Sequence, residues 1–185
     1  MIDDVLAEAR QAMDKAIQAL NNDLAALRTG RASPALVDKL MVEYYGTPTP
    51  LKELALISIP EAQLIAIKPY DPGAIKNIER AILQSDLGLT PNNDGKLIRL
   101  QIPSLTEERR RDLTKQASKR IEEAKVSVRN IRRSALDDLR SFEKEKLITE
   151  DDLFLGKDNI QELTDEYVEK IDEIGKAKEK EILEI

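Results

Sequence analysis

Cysteine and histidine are both absent from the 185 residues of this chain. Their absence removes disulfides, thiolate nucleophiles, zinc sites of the usual Cys/His kind and the commonest general base. Tryptophan is missing too, and the aromatics are four Tyr and two Phe. No stretch approaches the roughly 20 apolar residues of a bilayer span. The N-terminus MIDDVLAEAR has neither a basic n-region nor an apolar h-region. A soluble cytoplasmic protein without metal or cofactor is expected, and no catalytic residue is assigned.

Hydrophobic residues make up 41% of the chain, enough for a folded core, and charged residues 35%. Glu, Lys, Ala, Leu and Arg are plentiful, a mixture that favours long helices. Residues 2 to 28 place Ile2, Val5, Leu6, Ala9, Met13, Ala16, Ile17, Leu20, Leu24 and Leu27 at alternating steps of three and four. That spacing predicts one amphipathic helix. It closes near Thr29 and Gly30, and Pro34 restricts Ser33 to extended geometry, so a joint is expected there.

Between Leu40 and Ile102 the pattern turns to short β-type runs, MVEYY, LALISI, LIAIKPY and KLIRLQI, separated by turn residues. Asp71 and Pro72 form an N-cap and N1 pair for a short helix carrying Ile75, Ile78 and Ile82. Helical periodicity resumes after Pro103, with Ser104 or Thr106 as capping candidates, and runs from about 106 to 147, roughly 60 Å at 1.5 Å per residue. Thr149 and three following acids start a third helix that keeps Leu153, Ile160, Leu163, Tyr167, Ile171 and Ile174 in phase. The short connection makes these two helices antiparallel neighbours.

The fold class expected is therefore α+β: a discontinuous antiparallel three-helix bundle of residues 1–30 and 104–185, with a small α+β domain, 31–103, inserted. Two tethers join the parts, Thr29, Gly30, Arg31, Ala32, Ser33 and Pro34 in one and Pro103, Ser104 and Leu105 in the other. Two tethers that must bend together make a hinge.

Charge is segregated. Residues 109 to 133 hold ten Lys or Arg against three acids, in a chain of net charge −6, while residues 150 to 185 hold thirteen acids and five bases. Val128, Ile131 and Ala135 face the bundle. Arg129 and Arg133 face outward, with Arg132 on the shoulder about 60° from Arg129 and exposed. Lys115 and Arg111 extend the stripe, and Lys125 flanks it. The bland reading has these side chains solvating a bundle face and pairing with acids of the third helix. Surface ion pairs contribute less than about 1 kcal/mol each, a weak reason to accumulate them. Arginine at 129, 132 and 133 favours bidentate recognition of phosphate, so nucleic acid is the first physical partner.

Other motifs fail. None of the three Gly-Lys pairs has P-loop spacing, and TPNNDGKLIRLQ lacks the first and last ligands of a calcium loop. Neighbouring carboxylates point to different helix faces. Tyr44 and Tyr45 alternate on a predicted strand, so one is core and the other exposed, available to a partner surface.

LRTGRASPALVDKLMVEYYGTPTPLKELA (27 to 55), SDLGLTPNNDG (85 to 95), LTEERRRDLTK (105 to 115) and VRNIRRSA (128 to 135) resemble the bacterial ribosome recycling factor family over essentially the whole chain. The resemblance implies an elongated bundle, sized somewhat like transfer RNA, with the smaller domain at an elbow. It implies a monomeric, non-enzymatic factor that, with elongation factor G and GTP, splits ribosomes after termination and frees them from messenger RNA. Arg110, Arg129, Arg132 and Arg133 match the family's contacts to large-subunit ribosomal RNA, and Arg28 and Arg31 its basic hinge. The rival reading is a helical-bundle adaptor that binds another protein; a steep salt dependence of binding separates the two.

Overall fold

A computed structural model describes residues 1–184. The predicted bundle extends to Ile185, which lies outside the described residues. The chain forms two compact units, one of residues 1–28 and 107–184, the other of residues 29–106.

The first unit is a bundle of α1 (Ile2–Ala25), α4 (Glu107–Lys144) and α5 (Glu150–Leu183). At 1.5 Å per residue α4 is roughly 57 Å long. The expected stripes supply its core: Val5, Ala9, Met13, Leu20 and Leu24 from α1, Leu113, Ala117, Ala124, Val128, Ala135 and Leu139 from α4, and Ile160, Leu163, Tyr167 and Ile171 from α5. The seam of α5 then continues through Gly175, Lys178 and Ile182, with Lys178 burying its stem and reaching Glu181 at 3.4 Å.

α4 and α5 are antiparallel and pack closely because two glycines admit the partner helix. A Cβ on Gly156 would lie 2.8 Å from Leu139 Cδ1, and one on Gly175 2.8 Å from Ile121 Cδ1. Thr149 caps α5 with a reciprocal box. Its hydroxyl accepts the Asp152 N–H at 3.1 Å, and Asp152 accepts the Thr149 N–H at 3.0 Å. The N–H and hydroxyl of Thr149 hold the Asp152 carboxyl below its ordinary range. α1 joins α5 through the Tyr167 hydroxyl, which donates to Asp14, and Lys170 lies 4.4 Å over the Tyr167 ring. Burial first, and then the Asp14 bond, push the Tyr167 phenol up.

The second unit contains β1 (Met41–Tyr44), β2 (Thr47–Pro50), a one-turn helix α2 (Leu51–Leu54), β3 (Ala55–Glu61), β4 (Leu64–Pro69), α3 (Ile75–Gln84), β5 (Pro91–Asn93) and β6 (Ile98–Gln101). β1 and β2 form a hairpin; the other strands form an antiparallel sheet of order β3-β4-β6-β5. Ile65, Ile67, Ile98 and Leu100 from the sheet meet Ile75, Ile78 and Ile82 from α3, Val42 from the hairpin and Leu51 from α2 in one core. Asp71 caps the turn before α3 as expected, its Oδ1 accepting the Gly73 N–H at 2.9 Å. The runs read from the sequence did not include β2, α2 or β5. β5 is the stretch PNN, which carries only turn residues and is a strand because it pairs with Ile98–Leu100 of β6.

Both tethers are fastened to the turn between β3 and β4. The Ala32 N–H donates to the Ala62 carbonyl at 2.7 Å and the Ile102 N–H to the Gln63 carbonyl at 2.8 Å. The Gln63 side chain meets the Ser104 hydroxyl at 3.1 Å. Ser104, a capping candidate for α4 in the sequence, is thus engaged within the second unit. Gly30 has φ +76, and a Cβ there would lie 3.0 Å from Leu105 Cγ. Ser33 caps the 3-10 turn Pro34–Leu36. Thr29 and Gly30 are buried, Arg31 exposed.

Candidate nucleic-acid interface

The arginine face of α4 follows from its helical phase. Residues a turn or two apart stack on one side, so an apolar stripe toward the bundle leaves a long outer strip for charge. The structure distinguishes three environments within that strip.

Arg133 is exposed and, among the described residues, has no hydrogen-bond or ion-pair partner. Lys115 and Lys119 are in the same condition. Arg129 is exposed and 3.7 Å from Glu122, about two helical turns earlier on the same face. Such a pair in water contributes little and releases its arginine at small cost.

Arg132 is half-buried, where the sequence predicted exposure. Its angle, about 60° from Arg129, carries it toward α5, and its Nη1 donates to Gln161 Oε1 at 3.1 Å. Its Nε is buried without a hydrogen-bond partner. Gln161 is itself held by Asp165, which accepts from its amide at 2.8 Å. The guanidinium is therefore set by the seam between two helices, leaving part of its fork toward solvent. Arg110, near the start of α4, is half-buried with a buried Nε.

Lys125 belongs to the bundle. Its ammonium lies 2.6 Å from Asp172 of α5, and its side chain is mostly covered. Two further arginines take carboxylates of their own helix: Arg120 with Glu123 at 3.2 Å and Arg140 with Asp137 at 3.0 Å. The expected pairing with third-helix acids is thus represented by Lys125, while Arg129, Arg132 and Arg133 keep donors that a phosphate could take. Lys119 and Gln161 escaped the sequence reading. Lys119 was legible from its phase, about 40° from Arg133; Gln161 lies on another helix and carried no signal.

Arg28 and Arg31 are both exposed; Arg28 follows α1, and Arg31 belongs to the second unit. Arg28 has no partner among the described residues. Among those residues no cluster of acidic side chains is arranged to hold a metal, and no helix is long and apolar enough to cross a membrane.

This fold defines a class: an α+β protein in which a three-helix bundle is interrupted by a small sheet domain. The family model for the ribosome recycling factor matches residues 20–183. Ribosome-recycling factors from Halalkalibacterium halodurans and Bacillus subtilis are 58% and 55% identical over 185 residues, covering all of this chain and all of theirs. The solution structure of a ribosome recycling factor has a TM-score of 0.75 and 43% identity, covering 100% of this chain and 98% of its own. A second structure has a TM-score of 0.65 and 44% identity over 99% of both chains. It places the T. thermophilus ribosome recycling factor and E. coli elongation factor G on the E. coli post-termination complex. The chain belongs to the ribosome recycling factor family.

Proposed function

We propose that this chain recycles ribosomes after termination, splitting the post-termination complex together with elongation factor G and freeing ribosomes from messenger RNA. The observation that carries this reading is the match, over 99% of both chains, to a recycling factor described on the post-termination complex with elongation factor G. The chain acts in the cytoplasm, as a monomer, and makes or breaks no covalent bond; GTP is hydrolysed by its partner.

The face of α4 rests on large-subunit ribosomal RNA. Arg133 and Arg129 supply mobile phosphate donors, and Arg132 a pre-set one. Arg110 extends the contact along α4, and Arg28 and Arg31 add to it near the tethers. A guanidinium already oriented by Gln161 loses less rotamer freedom on meeting phosphate, which favours the contact. Because these contacts touch backbone, they fix position and leave sequence unread.

Elongation factor G acts on the second unit and the tethers. The ties of Ala32 and Ile102 to one turn give both tethers a common support. They confine bending to residues before Ala32 and after Ser104 within the span Thr29 to Leu105. The deciding assay is subunit dissociation of post-termination ribosomes with a matched elongation factor G and GTP, with and without this protein. Enhanced dissociation is expected; none would overturn the reading.

A further inference from the structure

The available cations on the outer strip of α4 fall into two groups. Lys115 and Lys119 form one; Arg129 and Arg133, with Arg132 on the shoulder, form the other. Lys119 and Arg133 are fourteen positions apart, roughly 21 Å along the helix. Two cations stand between the groups, and both are engaged, Arg120 by Glu123 and Lys125 by Asp172. On either side, Arg111 is taken by Glu107 and Arg140 by Asp137, which closes the stretch near Lys115 and Arg133.

In the gap two exposed side chains point outward, Glu122 about 20° from Arg129 and Val126 about 60° from it. Val126 is 49% exposed, and a β-branched residue on a solvated helix face adds neither packing nor propensity. The Glu122 carboxylate lies 3.8 Å from Lys125 and 3.7 Å from Arg129, beyond hydrogen-bond distance of both. Its oxygens are open to a donor from outside.

This order of groups selects among forms of RNA. A single strand laid along the helix would carry phosphate the whole way and set some of it against Glu122. The major groove of an A-form duplex is too deep and narrow for side chains to read. Its minor groove is wide and shallow, with a phosphate row on each side and 2′-hydroxyls displayed between them. A 2′-hydroxyl donates to a carboxylate, and ribose carbons pack on valine methyls. Cation, carboxylate with methyl groups, and cation again on the protein match phosphate, ribose and phosphate on the duplex.

Given the reading above that this face meets ribosomal RNA, we propose that α4 lies across the minor groove of an RNA duplex. Lys115 and Lys119 take phosphates of one backbone, and Arg129, Arg132 and Arg133 those of the other. Between them Glu122 accepts a 2′-hydroxyl and Val126 rests against a ribose. Glu122 is then the residue that distinguishes RNA from DNA, since the 2′-hydroxyl is the group DNA lacks.

Three probes test this on the intact protein at about 50 mM salt, read by fluorescence anisotropy. They are an RNA duplex of about 16 base pairs, the same duplex with 2′-fluoro riboses, which stays A-form and loses the donor, and single-stranded poly(U). The RNA duplex is expected to bind about tenfold more tightly than either of the others. Lys119→Ala weakens duplex binding and lowers its salt slope by about one contact, and Glu122→Ala removes the difference between the RNA and 2′-fluoro duplexes. Both residues are exposed and at most loosely paired, so both variants keep their melting temperature. Equal affinity for the three probes, no binding to any of them, an unchanged slope in Lys119→Ala, or a preference for RNA that survives Glu122→Ala would each overturn the proposal. Subunit splitting is a separate readout. Splitting without duplex preference keeps the recycling function and overturns this contact; duplex preference without splitting supports the contact and overturns the function.

Discussion

The Arg132 guanidinium donates to Gln161 Oε1 at 3.1 Å across the seam of α4 and α5. This side chain holds the seam, the phosphate contact proposed for it is a second role, and the two can be separated. Arg132→Ala loses a hydrogen bond worth about 1 kcal/mol and its share of stem packing. It also loses ribosome affinity. Gln161→Ala frees the guanidinium without removing it, so it lowers stability similarly but affinity much less. Urea unfolding and ribosome filter binding measure the two; equal affinity losses for both variants would mean that Arg132 acts only through the bundle.

Ionic strength tests the exposed donors. Each phosphate contact contributes roughly −0.7 on a single strand, and roughly −0.9 on a B-form duplex, to the slope of log affinity against log salt. Arg133→Ala is expected to reduce that slope by about one such contact while leaving unfolding unchanged, because Arg133 has no partner among the described residues. A slope identical to that of the unaltered protein would remove Arg133 from the interface.

The two seam glycines respond differently to alanine. Leu139, which fills the space at Gly156, is fully buried and cannot retreat, whereas Ile121 opposite Gly175 is half-buried. Overpacking at Gly156→Ala costs about 1–3 kcal/mol, against a helix-propensity gain of about 1, so a net loss near 1 kcal/mol is expected. Gly175→Ala is expected to be neutral within about 0.5 kcal/mol. Urea midpoints at constant m-value decide between them.

Acid acts through the cap of α5. Asp152 is held below the ordinary carboxylate range by the N–H and hydroxyl of Thr149, and Glu166 first by its bond from Lys170. A carboxyl depressed in the folded state binds protons more readily in the unfolded one, so its stabilisation is complete above the unfolded value and disappears as pH falls through the folded value. With no histidine in the chain, the melting temperature is expected to be flat between about pH 6 and 7.5 and to fall below about pH 4. Asp152→Asn shallows that acid limb. A transition near neutral pH would show that some other group controls stability.

Gly30→Ala tests the tethers. Alanine at φ +76 pays about 1–2 kcal/mol of backbone strain, and its methyl meets Leu105 Cγ at 3.0 Å. Subunit splitting is expected to fall several-fold while ribosome binding, proposed to rest on α4, holds. Splitting at the unaltered rate would sink the idea that bending passes through this residue.

Periodicity made the long elements legible: the Leu113 to Leu139 stripe predicted a helix from about 106 to 147, where α4 runs Glu107–Lys144, and the Thr149 cap marked the start of α5, because every third or fourth position reports burial. The Asp71 cap and Ile75, Ile78 and Ile82 did the same for α3. β5 was not legible, since PNN is a strand only through its neighbour β6. The arginine row was visible as charge and phase, but the half-burial of Arg132 was not. An ideal wheel gives an angle and no depth, and depth here depends on Gln161 of another helix. Likewise Tyr45, expected on a strand, lies in the turn, where a two-residue loop between Tyr44 and Thr47 demands positive φ.

Gly156 and Gly175 stand nineteen residues apart on α5, and the side chains they seat, Leu139 and Ile121, eighteen apart on α4. That spacing is roughly 28 Å along the seam. Two such seats act as detents on a slide rule: moving either helix by one turn would empty both at once and drive a side chain against backbone at each. The pair therefore holds a fixed gauge over half its length. The donors on α4 keep a constant distance from the end of the rod, and the graduation marks are two side chains that are single hydrogens.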